Sequence, residues 1–415
     1  MKRQTILGYV RSAVKRAAIA LTAAQAVVIA GIVGVDTYQK RHRAKREGFP
    51  HPGTFETRVA DTGTTVYTYG EDLFDAMIAA IEKAEHQVLL ETYIWKGDEV
   101  GTRFRDAVNR AAERGVNVYV IYDGFANLVV NPSFYRFHPL VNAYRFPVLR
   151  PSIVFTNIRG TGLDHRKVLV VDDEVGFVGG YNIGDDYATK WRDTHLEIRG
   201  PSVWELREAF VSLWNLRSIP RRPELPDLSA SFWEPRIRAV NNIPANLVFP
   251  IRGIYLDAIN RAEKHIFITT AYFIPDQQIL HALLRASRRG VDVRVILPEE
   301  SNHVVSDWLS RGFYSSLIGA GVQILLYQNA MIHAKTATID GQWSTVGTAN
   351  IDRLSLTGNY EINLEIFDPA LAATMEKIFD VDSSNSRLLT KEEWDSRHLV
   401  ARVSEFILAP LRPFL

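Results

Sequence analysis

His165 and His333 each open the same five-point pattern. A lysine follows two positions later (Lys167, Lys335), an aspartate at seven (Asp172, Asp340), an asparagine at seventeen (Asn182, Asn350) and a carboxylate at twenty-eight (Asp193, Glu361). The two copies agree at every spacing. An imidazole, an ammonium, an amide and an acid, each supplied twice, predict one active site assembled between two related halves. Two lysines and two amides around one point describe a phosphate cage, which neutralises charge building on non-bridging oxygens. One imidazole can then attack phosphorus while the other moves a proton to the leaving alcohol.

The surrounding residues must position this set. If His165 starts a strand, as the run Val168-Leu169-Val170-Val171 suggests, then His165 and Lys167 project to one side together. Asp172 then faces the other side, and by the same parity so does Asp340. Both are expected to be structural residues that tie down a strand end. The carboxylates Asp193 and Glu361 are the candidates for chemistry: an acid bonded to one ring nitrogen of a histidine fixes its tautomer and leaves the other nitrogen free. Asn182 and Asn350 follow Gly179-Gly180-Tyr181 and Gly347-Thr348-Ala349, where a backbone can turn closely around an anion.

The pattern His-x-Lys-x4-Asp, followed by Gly-Gly-Tyr-Asn in one copy and Gly-Thr-Ala-Asn in the other, resembles the duplicated HKD motif of the phospholipase D superfamily. Further stretches resemble its bacterial cardiolipin synthase branch: Trp191-Arg192-Asp193-Thr194-His195, Ala271-Tyr272-Phe273-Ile274-Pro275-Asp276, Tyr360-Glu361-Ile362-Asn363, and a tail through Trp394 and Arg397 to Pro410-Leu411. The resemblance covers roughly residues 60 to 415. It implies a phosphohistidine intermediate, with His165 as nucleophile and His333 as acid, although the symmetry of the pattern leaves the two roles interchangeable. It also implies phosphatidylglycerol as donor and acceptor, cardiolipin as product and glycerol as leaving group. Many relatives are expected to carry two hydrophobic N-terminal segments where this chain shows one, and an aspartate is expected where Asn302-His303 stands.

The repeat extends past the motifs. Ala112 to Val118 parallels Ser287 to Val293, a helix end with a glycine cap running into a strand, and Ile81 to Glu85 parallels Ile259 to Glu263. Both halves read helix, strand, helix, strand, then the motif strand, an α/β layered structure of phospholipase D type built twice. Its length, 415 residues, exceeds what one core usually organises. The expected division is an N-terminal anchor (1–50), a first half (51–219), a proline-rich linker (220–250) and a second half (251–415) ending in a helix that Thr390 and Glu393 cap. The aromatic stretch Asn131 to Pro151 interrupts the first half and reads either as an extra packed hairpin or as a lipid-facing lip.

Residues 17–35 carry no charge and only Thr22 and Gln25 as polar side chains, about the minimum for a bilayer-spanning helix. A retained single-pass anchor in the cell membrane is the expectation, with a cleaved signal peptide and a surface helix as the alternatives. Cutting after Ala24-Gln25-Ala26 would discard the Val27 to Val35 run. Orientation stays open: Lys2, Arg3, Arg11, Lys15 and Arg16 precede the segment and Lys40, Arg41, Arg43, Lys45 and Arg46 follow it.

Formal charge is +1, but residues 1–49 hold ten Lys or Arg against Asp36 and Glu47, which leaves 38 basic and 45 acidic residues and a body near −7. A nucleic-acid grip usually shows a basic footprint, so a nuclease reading is weakened. No cysteine is present, which removes disulfide and thiolate chemistry. A metal site from His165, His195 and Asp193 is disfavoured because Lys167 would put a positive charge where the cation must sit; no metal or other cofactor is expected. His195, two residues after Asp193, is a candidate support for the site or a head-group contact. The remaining histidines, His303 among them, take the default of surface or core residues. Alternatives to the synthase reading are a phospholipid hydrolase, a membrane-tethered nuclease and a silent lipid-binding scaffold. The oligomeric state is left open.

Overall fold

The computed structural model describes residues 2–42, 48–147, 162–216, 222–229 and 234–414. The end of the aromatic stretch (148–151), the flanking residues Arg43, Lys45 and Arg46, and Pro220 at the head of the expected linker lie outside them.

One helix, α1 (Lys2–His42), leads into the first half. It continues with β1 (Thr54–Val59), β2 (Thr62–Tyr67), α2 (Gly70–Lys83), β3 (Gln87–Thr92), α3 (Glu99–Glu113), β4 (Asn117–Asp123), β5 (Asn142–Phe146), β6 (Val168–Val171), β7 (Val175–Gly179), α4 (Asp185–Thr189), β8 (Trp191–Arg192), β9 (His195–Arg199) and α5 (Val203–Asn215). The second half begins with β10 (Ile237–Asn242), α6 (Pro250–Arg261), β11 (His265–Thr270), α7 (Gln277–Arg288), β12 (Asp292–Pro298) and α8 (Val304–Gly319). It goes on through β13 (Gln323–Tyr327), β14 (Met331–Ile332), β15 (Lys335–Ile339), β16 (Trp343–Gly347), α9 (Arg353–Thr357), β17 (Glu361–Phe367) and α10 (Pro369–Ser384). It closes with β18 (Ser386–Leu388), α11 (Lys391–Asp395), α12 (Leu399–Leu408) and a 3-10 turn, Ala409–Phe414.

Each half builds an eight-stranded sheet, in the orders β1-β2-β9-β7-β6-β3-β4-β5 and β10-β17-β16-β15-β11-β12-β13-β18. The same logic runs through both. β3, β4 and β5 are parallel, as are β11, β12 and β13, and the motif strands β6 and β15 add antiparallel beside β3 and β11. Helices α3 and α7 start on aspartate caps, Asp98 and Asp276, and end before glycines in the left-handed region, Gly115 and Gly290. Helix, strand, helix, strand is therefore the observed order in each half, but a further parallel strand, β5 or β13, comes before the motif strand.

Three readings change. The aromatic stretch after Asn131 is no added hairpin: β5 pairs parallel with β4, the place β13 holds in the second half. Its aromatic side chains pack inward, with Tyr135 stacked on Tyr122, Phe134 beside Trp95 and Phe146 edge-on to Tyr360 of the other half. The 220–250 stretch is more than a linker, because β10 joins the second sheet beside β17 and Pro250 opens α6. Pro244 opens a 3-10 turn and Pro250 opens α6, so both fall after β10 and spare its ladder. Finally, His165 and His333 lie just ahead of their motif strands rather than inside them.

The cores explain why the halves stay together. One cluster fills the first half under α2 and α3 and another fills the second under α6 to α8. A third is shared: Val168, Val170, Val178, Leu196 and Ile198 of the first sheet meet Val346, Ile362, Leu364 and Ile366 of the second, with Phe210 and Trp214 of α5 and Leu371 and Met375 of α10. Helix α10 packs on β1 and α5 on β10, so each half lends a helix to the other.

Asp172 and Asp340 do the tying-down that parity predicted. Both adopt positive φ, 55° and 56°. Asp172 accepts the main-chain N–H groups of Glu85, His86 and Gln87 at 2.8, 2.8 and 2.7 Å, and Asp340 those of Glu263, Lys264 and His265 at 2.8, 2.9 and 2.9 Å. These donors hold both carboxyls below the usual carboxylate range against the opposing pull of partial burial. A depressed pKa contributes stability above the unfolded value and loses it as pH falls through the folded one. Asp340→Ala is expected to cost about 2 kcal/mol in thermal denaturation near neutral pH, from lost hydrogen bonds and a strained φ. Asp340→Asn, which tolerates the same φ, should cost about half that, and the gap between wild type and Asn should close on acidification below about pH 4.

Candidate active site

Two short parallel contacts stitch the halves together at the motifs. Asp164 bridges Tyr360, with the His165 N–H donating to the Tyr360 carbonyl at 3.0 Å and the Tyr360 N–H to Leu163 at 2.9 Å. Symmetrically, β14 pairs with β8, and the His333 N–H donates to the Arg192 carbonyl at 2.6 Å. Each histidine thus follows a strand contact whose partner runs straight into the other half's carboxylate, Glu361 after Tyr360 and Asp193 after Arg192.

The acids consequently cross. His165 Nδ1 lies 3.0 Å from Glu361 Oε2, and His333 Nδ1 lies 2.7 Å from Asp193 Oδ2. Neither motif is complete within its own half. With Nδ1 engaged, Nε2 of each ring is the reactive nitrogen. The metal set considered above is not brought together, since Asp193 serves His333 and His165 is held by Glu361.

Both histidines and both asparagines line one cavity of about 380 Å³, walled further by Tyr93, Tyr187, Trp191, Tyr272, His303 and Asp352. Asn182 spends its Oδ1 on the Ile94 N–H at 3.2 Å, which leaves its amide hydrogens as donors; Asn350 lines the cavity with its Oδ1 buried and unbonded. Lys167 and Lys335 are buried, and each donates to the main-chain carbonyl of its own motif's histidine. That uses one of three ammonium hydrogens and keeps the others for an anion.

Burial dominates the electrostatics. It lowers Lys167 to about 7 and Lys335 to about 8, and it raises Asp193 to about 6 and Glu361 to about 8. Both rings sit well below the ordinary histidine value, through burial first and then the two ammoniums, which act on each ring. These shifts favour neutral imidazoles, the form that can attack phosphorus.

The glycines before Asn182 have a use different from the one expected. A Cβ on Gly180 would meet the Asp193 carboxylate at 2.1 Å, so glycine admits this acid to the backbone. At the equivalent place Thr348 stands, and its hydroxyl donates to Glu361 Oε2 at 2.5 Å.

His195 is buried on β9 beside Asp193, its ring 6.3 Å from Tyr181 and its Nδ1 without a partner. Burial draws it down to about 3, and it does not reach the cavity wall, so the head-group reading fails and a supporting place under Asp193 remains. His303, read as an ordinary histidine, lines the cavity and packs against Tyr272 at 5.5 Å. Its signal lay in its position soon after the end of β12, where chain leaves a sheet. Sequence reasoning also missed Asp352, a buried wall residue that burial raises to about 7, and the aromatic rings of Tyr93 and Trp191, 4.7 and 5.0 Å from His165 and His333.

Residues 77–214 and 255–383 match the family described as "Cardiolipin synthase, PLD-like domain". A cardiolipin synthase of Clostridium perfringens is 33% identical over 371 residues, covering 84% of this chain and 76% of the relative. One from Listeria monocytogenes is 33% identical over 368 residues, covering 86% and 76%. The chain belongs to this family. It is a phosphatidyltransferase of the phospholipase D superfamily. Among solved structures, a phosphatidylserine synthase of Haemophilus influenzae shares the fold, with a TM-score of 0.66 at 14% identity over 86% of this chain and 94% of that one.

One buried ion pair holds this family site closed across the halves. Arg192 of β8 meets Asp382 of α10 with paired bonds of 2.9 and 2.7 Å, while its Nη1 donates to the Asp193 carbonyl and, at 3.0 Å, to the Thr194 hydroxyl. Asp382→Ala strands a buried guanidinium and is expected to cost about 3–5 kcal/mol in denaturant unfolding, whereas Arg192→Met with Asp382→Leu should recover most of that stability.

Proposed function

We propose that the chain joins two phosphatidylglycerol molecules into cardiolipin and releases glycerol, with His165 as nucleophile and His333 as acid and then base. The observation that carries this reading is the pair of crossed histidine–carboxylate contacts around one cavity. A phosphodiester drawn between Lys167, Lys335, Asn182 and Asn350 offsets the ammonium field that, after burial, helps to keep both rings neutral. One proton, taken up from solvent as the phosphodiester binds, then resides on the ring beside the more readily ionised acid. That is His333, whose Asp193 partner sits lower than Glu361 and at the shorter distance of 2.7 Å.

His165 Nε2 attacks phosphorus, the bond to the glycerol oxygen breaks, and His333 gives that oxygen its proton. Phosphatidyl-histidine and free glycerol result. A head-group hydroxyl of the second phosphatidylglycerol then loses its proton to His333 and attacks phosphorus. The phosphorus–nitrogen bond breaks, which returns His165 and yields cardiolipin. Burial of the reacting groups and the aromatic wall limit competition by water. In this reading α1 is a membrane anchor that keeps the cavity at the lipid surface, the substrates being membrane phospholipids.

Purified protein mixed with phosphatidylglycerol vesicles, its lipids resolved by mass, should give cardiolipin and free glycerol, and His165→Ala should give neither. Phosphatidic acid alone would overturn transfer in favour of hydrolysis. With a p-nitrophenyl phosphatidyl ester, whose leaving group needs no acid, His333→Ala should still release p-nitrophenol and retain acid-labile phosphate on the protein, whereas equal labelling of His165→Ala would reverse the two roles.

The pH dependence follows from the signs above. On soluble short-chain phosphatidylglycerol, kcat/KM should be bell-shaped. Both limbs belong to the pair of rings, which lie below the ordinary histidine value in the free protein. The acid limb marks protonation of the attacking ring and the alkaline limb loss of the proton from the acid ring, and the fall steepens above about 7 to 8, where Lys167 and Lys335 lose charge. The bound phosphodiester stabilises both ammoniums, so the alkaline limb of kcat should lie above that of kcat/KM. A flat profile between about pH 5 and 9 would contradict the assignment.

A further inference from the structure

Helix α12 is built inside out for the surface of a water-soluble protein. Leu399, Val400, Val403 and Phe406 share one arc of it and are 73, 76, 48 and 80% exposed. The face turned to the body carries Ser404 and Glu405 beside Leu408. Glu405 is held there by Arg311 and Arg397, at 3.0 Å each. A surface helix in water gains from the reverse arrangement, so the outer arc of α12 faces something other than water.

Its neighbour says what. Helix α1 lies along α12 and α8. Gln25 Nε2 donates to the Ile407 carbonyl at 3.1 Å, Ile32 is buried in the second-half core, and Val28 and Ile29 pack against that core. These four positions form one helical seam near the middle of Arg11–Gln39, a stretch long and apolar enough to cross a membrane. A helix that touches the body at mid-span brings the touching elements to the level of the bilayer. Their outward faces must then be apolar, as that of α12 is.

We propose that α12 is a second membrane contact, lying in the plane of the lipid interface with Leu399, Val400, Val403 and Phe406 among the acyl chains. Arg402, exposed at the edge of the arc, donates one guanidinium hydrogen to the Asp395 carbonyl and keeps others to meet lipid phosphate. This rests on α1 being membrane-embedded. It also orients the cavity. Ser306, in the first turn of α8, and Leu354 on α9 line the cavity, and α8 and α9 both pack on the 3-10 turn that continues α12. The mouth therefore lies close to the sunken face, where a lipid head group reaches it without leaving the leaflet.

The chain has no cysteine, so a single label reports one position. Full-length Phe406→Cys, carrying an environment-sensitive nitrobenzoxadiazole, is reconstituted into phosphatidylglycerol–phosphatidylcholine vesicles, with Glu113→Cys on α3 as control. The proposal expects blue-shifted emission at 406, quenched by lipids with a shallow doxyl group, and water-like, unquenched emission at 113. Water-like emission at 406 would overturn it. So would a blue shift that doxyl lipids leave unquenched, which would mark a second copy of the chain covering the arc. Cardiolipin formation is measured on the same vesicles. Turnover with an unquenched 406 label refutes the membrane contact alone, and a quenched label without turnover refutes the synthase reading alone. Leu399→Gln with Phe406→Gln should lower turnover on vesicles while sparing turnover of short-chain lipid in solution, and equal loss on both would count against the proposal.

Discussion

The contact on which the rest of the structure depends is the crossed bond between a histidine of one half and a carboxylate of the other. It leaves each motif incomplete within its own half. Holding two such bonds at 2.7 and 3.0 Å requires the halves to be fixed to a fraction of an ångström, and the molecule meets that demand with several layers of contact. The strand bridges Asp164–Tyr360 and β8–β14 set the register, the shared apolar core fixes the separation of the sheets, and the exchanged helices α5 and α10 prevent them from rotating. The Arg192–Asp382 pair is the polar counterpart. Buried salt bridges rarely add net stability, so its benefit is better sought in specificity: Arg192 also holds the main chain of Asp193.

Two ammoniums and two carboxylates in one buried site form a set that is nearly balanced before substrate arrives. Desolvation pushes all four toward neutrality, and their mutual attraction opposes it. An arriving phosphodiester tips the balance. Its negative charge would stabilise the lysines in their charged form and offset the pull of two nearby cations on the rings. Electrostatic stabilisation of this kind costs little reorganisation at the moment of reaction, because the donors are already in place.

Much of this was legible in the chain. Spacing alone selected the paired histidines, lysines, asparagines and carboxylates that the fold gathers at one cavity, and parity separated Asp172 and Asp340 from them, because alternation along an extended segment survives even where the segment is not yet a strand. The glycine caps at Gly115 and Gly290 marked real helix ends. The crossing of the acids was not legible, since spacing along one copy cannot say that the other copy supplies the partner. Nor was β5: its crossover lacks the helix that α8 provides in the second half, so the repeat was hidden there and the aromatic residues looked like an addition. His303 and Asp352 were missed for the same reason, having no counterpart of their own type in the first half.

The small departures from symmetry are themselves informative. Asp193 is one methylene shorter than Glu361, and glycine at 180 lets its carboxylate come close to the backbone. Opposite it, the longer Glu361 is met by the Thr348 hydroxyl at 2.5 Å. Both devices bring a carboxylate oxygen to within hydrogen-bond reach of a histidine Nδ1, so the geometry is kept while the environments differ. Two rings held in the same manner by unequal partners, at 2.7 and 3.0 Å, will not share a proton equally. A site that needs one neutral imidazole and one imidazolium at the same moment requires that inequality, and a perfectly symmetric duplicate would lack it.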